Sequence, residues 1–146
     1  METMPLPPKL QTQLDDLAFY SDRADRIQAL IEIGEAFINP TTEELPRTAA
    51  TRVPGCESEA YVSKGQGGRL RIAVDNPQGI SAMAMAVILA NGFEGASREE
   101  IAQVPEDIVY EIFGRELSMG KSMGLTGMVR MAKMEASRQD VPGQPT

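Results

Sequence analysis

The only thiol in the chain, Cys56, stands in the run Arg52-Val53-Pro54-Gly55-Cys56-Glu57-Ser58-Glu59-Ala60-Tyr61. Proline restricts the loop and glycine removes a side chain beside the sulfur. This order therefore offers a cysteine at a loop tip, between a Pro-Gly turn and the start of a strand, at low ordering cost. A free cysteine is also among the most buried residue types, so a role as a small core hydrophobe competes on composition alone. Glu57 and Glu59 place negative charge beside the sulfur, and the chain has no histidine to remove its proton. Arg52, Lys64 and Lys121 are the cations that would help if the fold brings them close. Such a nucleophile suits an electrophile prepared elsewhere. Attack on a sulfur already activated as a persulfide follows thiol–disulfide exchange, in which one thiol takes the outer sulfur and the other leaves.

The absences narrow the chemistry further. With one cysteine, no histidine and no tryptophan, the chain alone builds no Ser-His-Asp triad, no Cys-His pair and no Cys/His zinc site. One thiol makes no internal disulfide or dithiol couple, and iron–sulfur clusters usually take about four thiolates. Cys56 acts alone or with a partner. Twenty-one acidic against fourteen basic residues give a net charge of −7, which argues against nucleic acid and anionic membrane surfaces as partners. The start METMPLPPKLQ lacks the apolar core of a secretory signal. The longest apolar run, Ala82 to Ala90, is far short of the ~20 residues that span a bilayer. A cytoplasmic protein without a membrane partner is the expectation.

The length of 146 residues and 42% hydrophobic content suit one domain, residues 1–146, with a core over about 10–138 and a frayed tail at 139–146. Leu10, Leu14 and Leu17 mark one face of a helix ending near Tyr20. Ser21 or Asp22 caps a second, with a stripe through Ile27, Leu30, Ile31 and Ile38, and Asn39-Pro40 stops it. Residues 41–50 read as loop. Ala60-Tyr61-Val62 and Leu70 to Val74 read as an antiparallel hairpin around Lys64-Gly65-Gln66-Gly67-Gly68, with a third short strand near Arg52-Val53. The glycine stretch lies between strands, not between strand and helix, so it reads as a hairpin turn rather than a phosphate cradle.

Ser81 is expected to cap an all-apolar helix over Ala82 to Ala90, which belongs in the core. Ser97-Arg98-Glu99-Glu100 has the capping-box pattern, and Pro105 precedes a helix carrying Ile108, Ile112 and Phe113. Leu125, Met128, Val129 and Ala132 mark the last helix. The methionines Met119, Met123, Met128, Met131 and Met134 read as adaptable packing rather than a metal box. The result is an α+β domain in which a small antiparallel sheet of about three strands is covered by helices.

The run VPGCESEAY resembles the glycine-cysteine-glutamine-serine-glutamine signature of the SufE family. Gly55, Cys56 and Ser58 are unchanged, and Glu57 and Glu59 replace the two glutamines. Tyr61 stands where the family often has tryptophan. LIEIGEAF is similar to the family's second helix and LSMGKSMGLTGMVRMAK to its C-terminal segment, so the resemblance runs from about Leu10 to Arg138. It implies a SufE/IscU-like fold whose cysteine loop packs its sulfur in a partly apolar hollow and swings out to a SufS-type cysteine desulfurase. Cys56 would take sulfur from that enzyme as a persulfide, stimulate it, and relay the sulfur to a SufBCD-type assembly scaffold. It would act as an accessory sulfurtransferase rather than a stand-alone enzyme. No cofactor is implied in this chain; the desulfurase uses pyridoxal phosphate. Gly55, Glu57, Ser58 and Glu59 would support the loop, and Arg52 and Lys121 would contact the partner. Where the family has Ser-Arg-Ser, this chain has Gly120-Lys121-Ser122, which keeps a charge without the bidentate fork. A monomer or a homodimer fits. The rivals are a U-type cluster scaffold, which relies on several cysteines, and a non-catalytic interaction module in which Cys56 is packing.

Overall fold

Leu10, Leu14 and Leu17 are all buried on α1 (Pro8–Ala18), the helix their spacing predicts. The computed structural model describes residues 6–56, 58–65, 68–115 and 117–138; the expected tail at 139–146 lies outside them. Next in chain order come α2 (Arg23–Glu35), β1 (Ala60–Lys64), β2 (Leu70–Val74), α3 (Ile80–Phe93), α4 (Arg98–Ala102), α5 (Ile108–Phe113) and α6 (Met119–Ser137). The α+β class holds. Among the described residues no helix is long and apolar enough to cross a membrane.

The helix α3 is apolar on every side and sits in the middle, touching α1, α2, α6 and β2. Eight of its fourteen residues are buried, as its lack of a polar face requires. The helix α2 departs from the expected stripe. Its buried positions are Leu30 and Gly34, with Ala29, Ile33 and Phe37 packed against the core, while Ile27 and Ile38 are exposed. The cause is local: the helix stops at Glu35, and Gly34 presses on the start of α3, where an added Cβ would lie 3.1 Å from the Ile80 carbonyl oxygen. That contact turns the helix face. Asp22 is the cap, its carboxylate accepting from the Ala24 N–H at 3.0 Å.

The sheet has two antiparallel strands, with Ala60 opposite Val74 and Val62 opposite Ile72. Period-two alternation sends these four to the main core and sends Tyr61 and Ala73 to the other face. There they meet Leu45, fully buried within the expected 41–50 loop. That loop, not a helix, covers the second face. The third strand near Arg52-Val53 is reduced to one bridge, Arg52 to Tyr61, held by the Val53 N–H on the Ala60 carbonyl and the Val62 N–H on the Thr51 carbonyl. Pro54 has no N–H to continue the ladder, and Gly55 turns away at φ +74°. The hairpin turn closes through the Gly65 N–H on the Arg69 carbonyl and the Gly68 N–H on Gly65; Gln66 and Gly67 lie outside the described residues.

The cap of α3 is Gly79, not Ser81. The Gly79 N–H donates to the Asn76 carbonyl at 2.9 Å, so a tight turn delivers the chain into the helix before Ser81 is reached. The capping box of Ser97 and Glu100 forms as the sequence predicts, and α6 buries Leu125, Met128, Val129 and Ala132.

Candidate functional site

Cys56 is carried by a turn, but its thiol is folded inward and the residue is only 6% exposed. The Glu59 N–H donates to the Cys56 carbonyl at 3.3 Å, and Glu59 holds φ +53°. A left-handed side-chain-bearing residue costs roughly 1–2 kcal/mol, which the surroundings of the turn must offset. They do so with ladder-like bonds: Asp75 N–H to the Glu59 carbonyl and Asn76 N–H to the Ser58 carbonyl. The base of the cysteine turn is thus stitched to the end of β2.

The sulfur itself is held by shape. A Cβ built on Gly124 of α6 would lie 3.4 Å from Cys56 Sγ and 3.1 Å from its Cα, and one on Gly127 would lie 3.0 Å from Val53 Cγ1. Bare helix backbone at these two points lets the loop lie directly on α6. Gly79 does the same for Ser58, whose Oγ would be 2.8 Å from an added Cβ. Among the described residues the thiol has no hydrogen-bond partner.

Beside the sulfur opens a hollow of about 350 Å³. Cys56 and Ser58 form one wall, Asn76, Gln78 and Gly79 with the first turn of α3 a second, and Gly120, Lys121, Gly124 and Leu125 of α6 a third. Among the described residues that line it, Lys121 is the one that carries charge. The α3 terminus, whose residues Ile80, Ser81 and Ala82 line the hollow, has no side-chain cap. The lining thus includes a cation, and no carboxylate lines the space among the described residues.

The expected site residues separate into two groups. Cys56, Ser58 and Lys121 share the hollow. Arg52 and Gly55 do not: they line a second, wider groove of about 710 Å³ on the other side of the loop. Glu59 shapes the turn without lining the hollow, Lys64 donates to the Arg138 carbonyl at the far end of the hairpin, and Glu57 lies outside the described residues. Sequence reading missed Asn76, Gln78 and Gly79; the signal available was the Asn-Pro-x-Gly turn just ahead of an apolar helix.

It also missed Arg47. Its guanidinium binds both Asp75 carboxylate oxygens at 3.0–3.2 Å, donates to the carbonyls of Pro40, Thr41 and Leu45, and lies 5.8 Å from the Tyr61 ring centroid. The Arg47 hydrogen bond, joined by one from Asn39, holds the Asp75 carboxyl below the usual carboxylate range. This knot fixes the chain one residue before Asn76 enters the hollow. Among the described residues no group of three His, Cys, Asp or Glu side chains is placed to hold a metal ion.

Residues 11–136 match the SufE family, described as an Fe-S metabolism associated domain. A SufE-like protein of Rhizobium etli is 30% identical over 133 residues, covering 84% of this chain and 86% of the relative. One from Rhizobium meliloti is 29% identical over 133 residues, covering 84% and 91%. The chloroplastic quinolinate synthase of Oryza sativa subsp. japonica is 32% identical over 112 residues, 73% of this chain and 15% of that longer protein. In three dimensions the chain resembles the solution structure of a hypothetical protein from Thermus thermophilus, with a TM-score of 0.63 and 23% identity over 90% of this chain and 95% of the other.

Proposed function

This chain belongs to the SufE family of Fe-S metabolism associated domains, and we propose that within it Cys56 is a persulfide acceptor that takes sulfur from a SufS-type cysteine desulfurase. The observation that carries the reading is the placement of the one thiol in the sequence: buried against Gly124, with a hollow of about 350 Å³ at its side that contains Lys121. An inert core cysteine would be close-packed on all sides. This one keeps room for additional atoms.

The transfer balances without an oxidant. Cys56 sulfur attacks the outer sulfur of the donor's cysteine persulfide. A new S–S bond forms on Cys56, the donor's S–S bond breaks, and the donor cysteine leaves with the electron pair as a thiolate. The proton lost from Cys56 equals the one the donor sulfur regains, through water, since the chain has no histidine. Lys121, in the lining of the same hollow, is then the cation nearest to hand for the terminal sulfur that remains. The persulfide would pass next to a SufBCD-type scaffold by the same exchange. Ser58 and Gly55 act as loop supports, and pyridoxal phosphate belongs to the donor. A U-type cluster scaffold fits less well, because a single cysteine supplies too few thiolates.

Intact-mass measurement after mixing with a desulfurase and free cysteine tests this. The native chain gains one sulfur atom, and Cys56→Ser, still folded by circular dichroism, gains none. A native chain that gains no mass ends the carrier reading.

A further inference from the structure

Three arginines meet where α2 passes the end of α5. Arg23 and Arg26 of α2 and Arg115, just beyond α5, line one depression of about 290 Å³, and no carboxylate lines it among the described residues. The chain has twenty-one acidic residues and a net charge of −7, so carboxylates are plentiful elsewhere. Like charges around one space repel, and an anion placed among them relieves that repulsion.

Two of the three are steered by neutral groups instead of being paired. Arg26 Nη1 donates to the Glu111 carbonyl oxygen at 3.1 Å, which uses one of the guanidinium's donors and leaves its charge whole. The Arg115 guanidinium lies 5.7 Å from the Tyr110 ring centroid, a contact that positions a cation without cancelling it. Gly114 prepares this placement, because its φ of +88° ends α5 and turns the chain at Arg115. Among the described residues no ion pair engages Arg26 or Arg115.

Beside the cations the lining is apolar and aromatic, with Tyr20 38% exposed, Phe113 half-buried and Leu30 buried at the floor. Guanidinium forks accept carboxylate or phosphate oxygens in pairs, and aromatic faces accept rings. The space equals about ten water molecules at the volume each has in the liquid, near the lower end of small-molecule sites. It holds an anion with a single ring and is too small for a dinucleotide. No lining residue is shared with the sulfur hollow.

We propose that this depression binds a small organic oxyanion, a carboxylate or phosphate carried on one flat apolar ring, with the oxygens at Arg26 and Arg115 and the ring against Tyr20 and Phe113. The site stands apart from the persulfide-acceptor reading, and either fails without the other.

The test is titration of the full isotope-labelled chain, followed by nuclear magnetic resonance, with benzoate and phenyl phosphate as probes. Inorganic phosphate supplies the charge alone and phenol the ring alone. At least one aryl anion should bind about tenfold or more tightly than either control, shifting amides of α2 and α5 around Arg26 and Arg115, and the tighter of the two names the oxyanion. Arg26→Gln and Arg115→Gln, each still folded by circular dichroism, should each weaken that binding about tenfold. Arg115→Lys should fall between, having charge without the fork, and Arg98→Gln, outside the depression, should bind as the native chain does. Inorganic phosphate binding as tightly as the aryl anions, or shifts that follow every surface cation, means an adventitious ion only and overturns the site. Undiminished binding by both glutamine variants overturns it, as does the lack of saturable binding by either aryl anion.

Discussion

The cysteine loop is held from two sides by opposite means. On the Arg47 side the contacts are directional: a forked pair with Asp75 and donations to three carbonyls, with Arg47 Nη2 2.6 Å from the Pro40 oxygen. On the α6 side they are nearly featureless, with Gly124 and Gly127 offering bare backbone and the thiol bonded to nothing among the described residues. Hydrogen bonds to charged groups fix an orientation and are costly to break. Contact between small residues and backbone fills space without fixing it, and yields once a competing surface appears. A sulfur carrier needs both, because its loop must have a firm base and a movable tip. Asp75 and Asn76, neighbours in sequence, are the point where one regime passes into the other.

The contrast breaks most visibly at Arg47. Arg47→Ala leaves Asp75 and three carbonyls without their donor, and Arg47 is only 15% exposed. A loss of about 2–3 kcal/mol in urea unfolding is expected, toward the low end because Asp75 is partly solvated. The thiol's rate of reaction with a disulfide reagent in the folded protein should stay within a factor of about two, a free-energy change below about 0.5 kcal/mol. Arg47→Lys, which keeps charge without the fork, should fall between. A variant in which thiol reactivity rises as steeply as stability falls would show that the two sides are one unit.

Gly124→Val inverts the pattern. A glycine inside a helix normally costs about 1 kcal/mol relative to alanine, so a side chain here should help α6. Its Cβ would instead stand 3.1 Å from Cys56 Cα, and the branched methyls need the space the sulfur occupies. A net destabilisation of about 1–2 kcal/mol is expected from overpacking, with thiol reactivity raised about tenfold as the loop is displaced. Unchanged reactivity would mean that α6, not the loop, gives way.

The sequence disclosed the parts of this arrangement that rest on local rules. The α1 face, the capping box at Ser97, the α6 core face and the hairpin all follow from periodicity and turn chemistry, and the cysteine loop from its Pro-Gly-Cys order. What stayed hidden depends on partners far along the chain. Arg47 bonds a residue 28 positions away, and Leu45 is buried only because it covers Tyr61 and Ala73. The turn of α2 away from Ile27 follows from its contact with α3 at Gly34. Arg52 and Cys56, four residues apart, fall on opposite sides of the loop because Gly55 adopts a left-handed turn between them, and no spacing rule reveals that.

Acidity sharpens the comparison most finely, because the Arg47 side of the loop titrates through an ion pair at the loop's own base. The Arg47 hydrogen bond lowers the Asp75 carboxyl in the folded chain, so the unfolded state binds a proton at higher pH than the folded state does. The resulting stabilisation is complete above the ordinary aspartate value of about 4 and is lost as pH falls through the lowered folded value. Asp75→Asn removes that dependence at this position. The native chain should therefore lose more stability than the variant between about pH 5 and pH 3 in urea unfolding, while at neutral pH the variant is the weaker of the two. Glu44, Glu94 and Glu106 are also lowered by their partners, so the native curve retains a shared acid limb and the informative quantity is the difference between the curves. Parallel curves would mean that the base of the cysteine loop is held by the carbonyl bonds of Arg47, with Asp75 adding nothing that titrates.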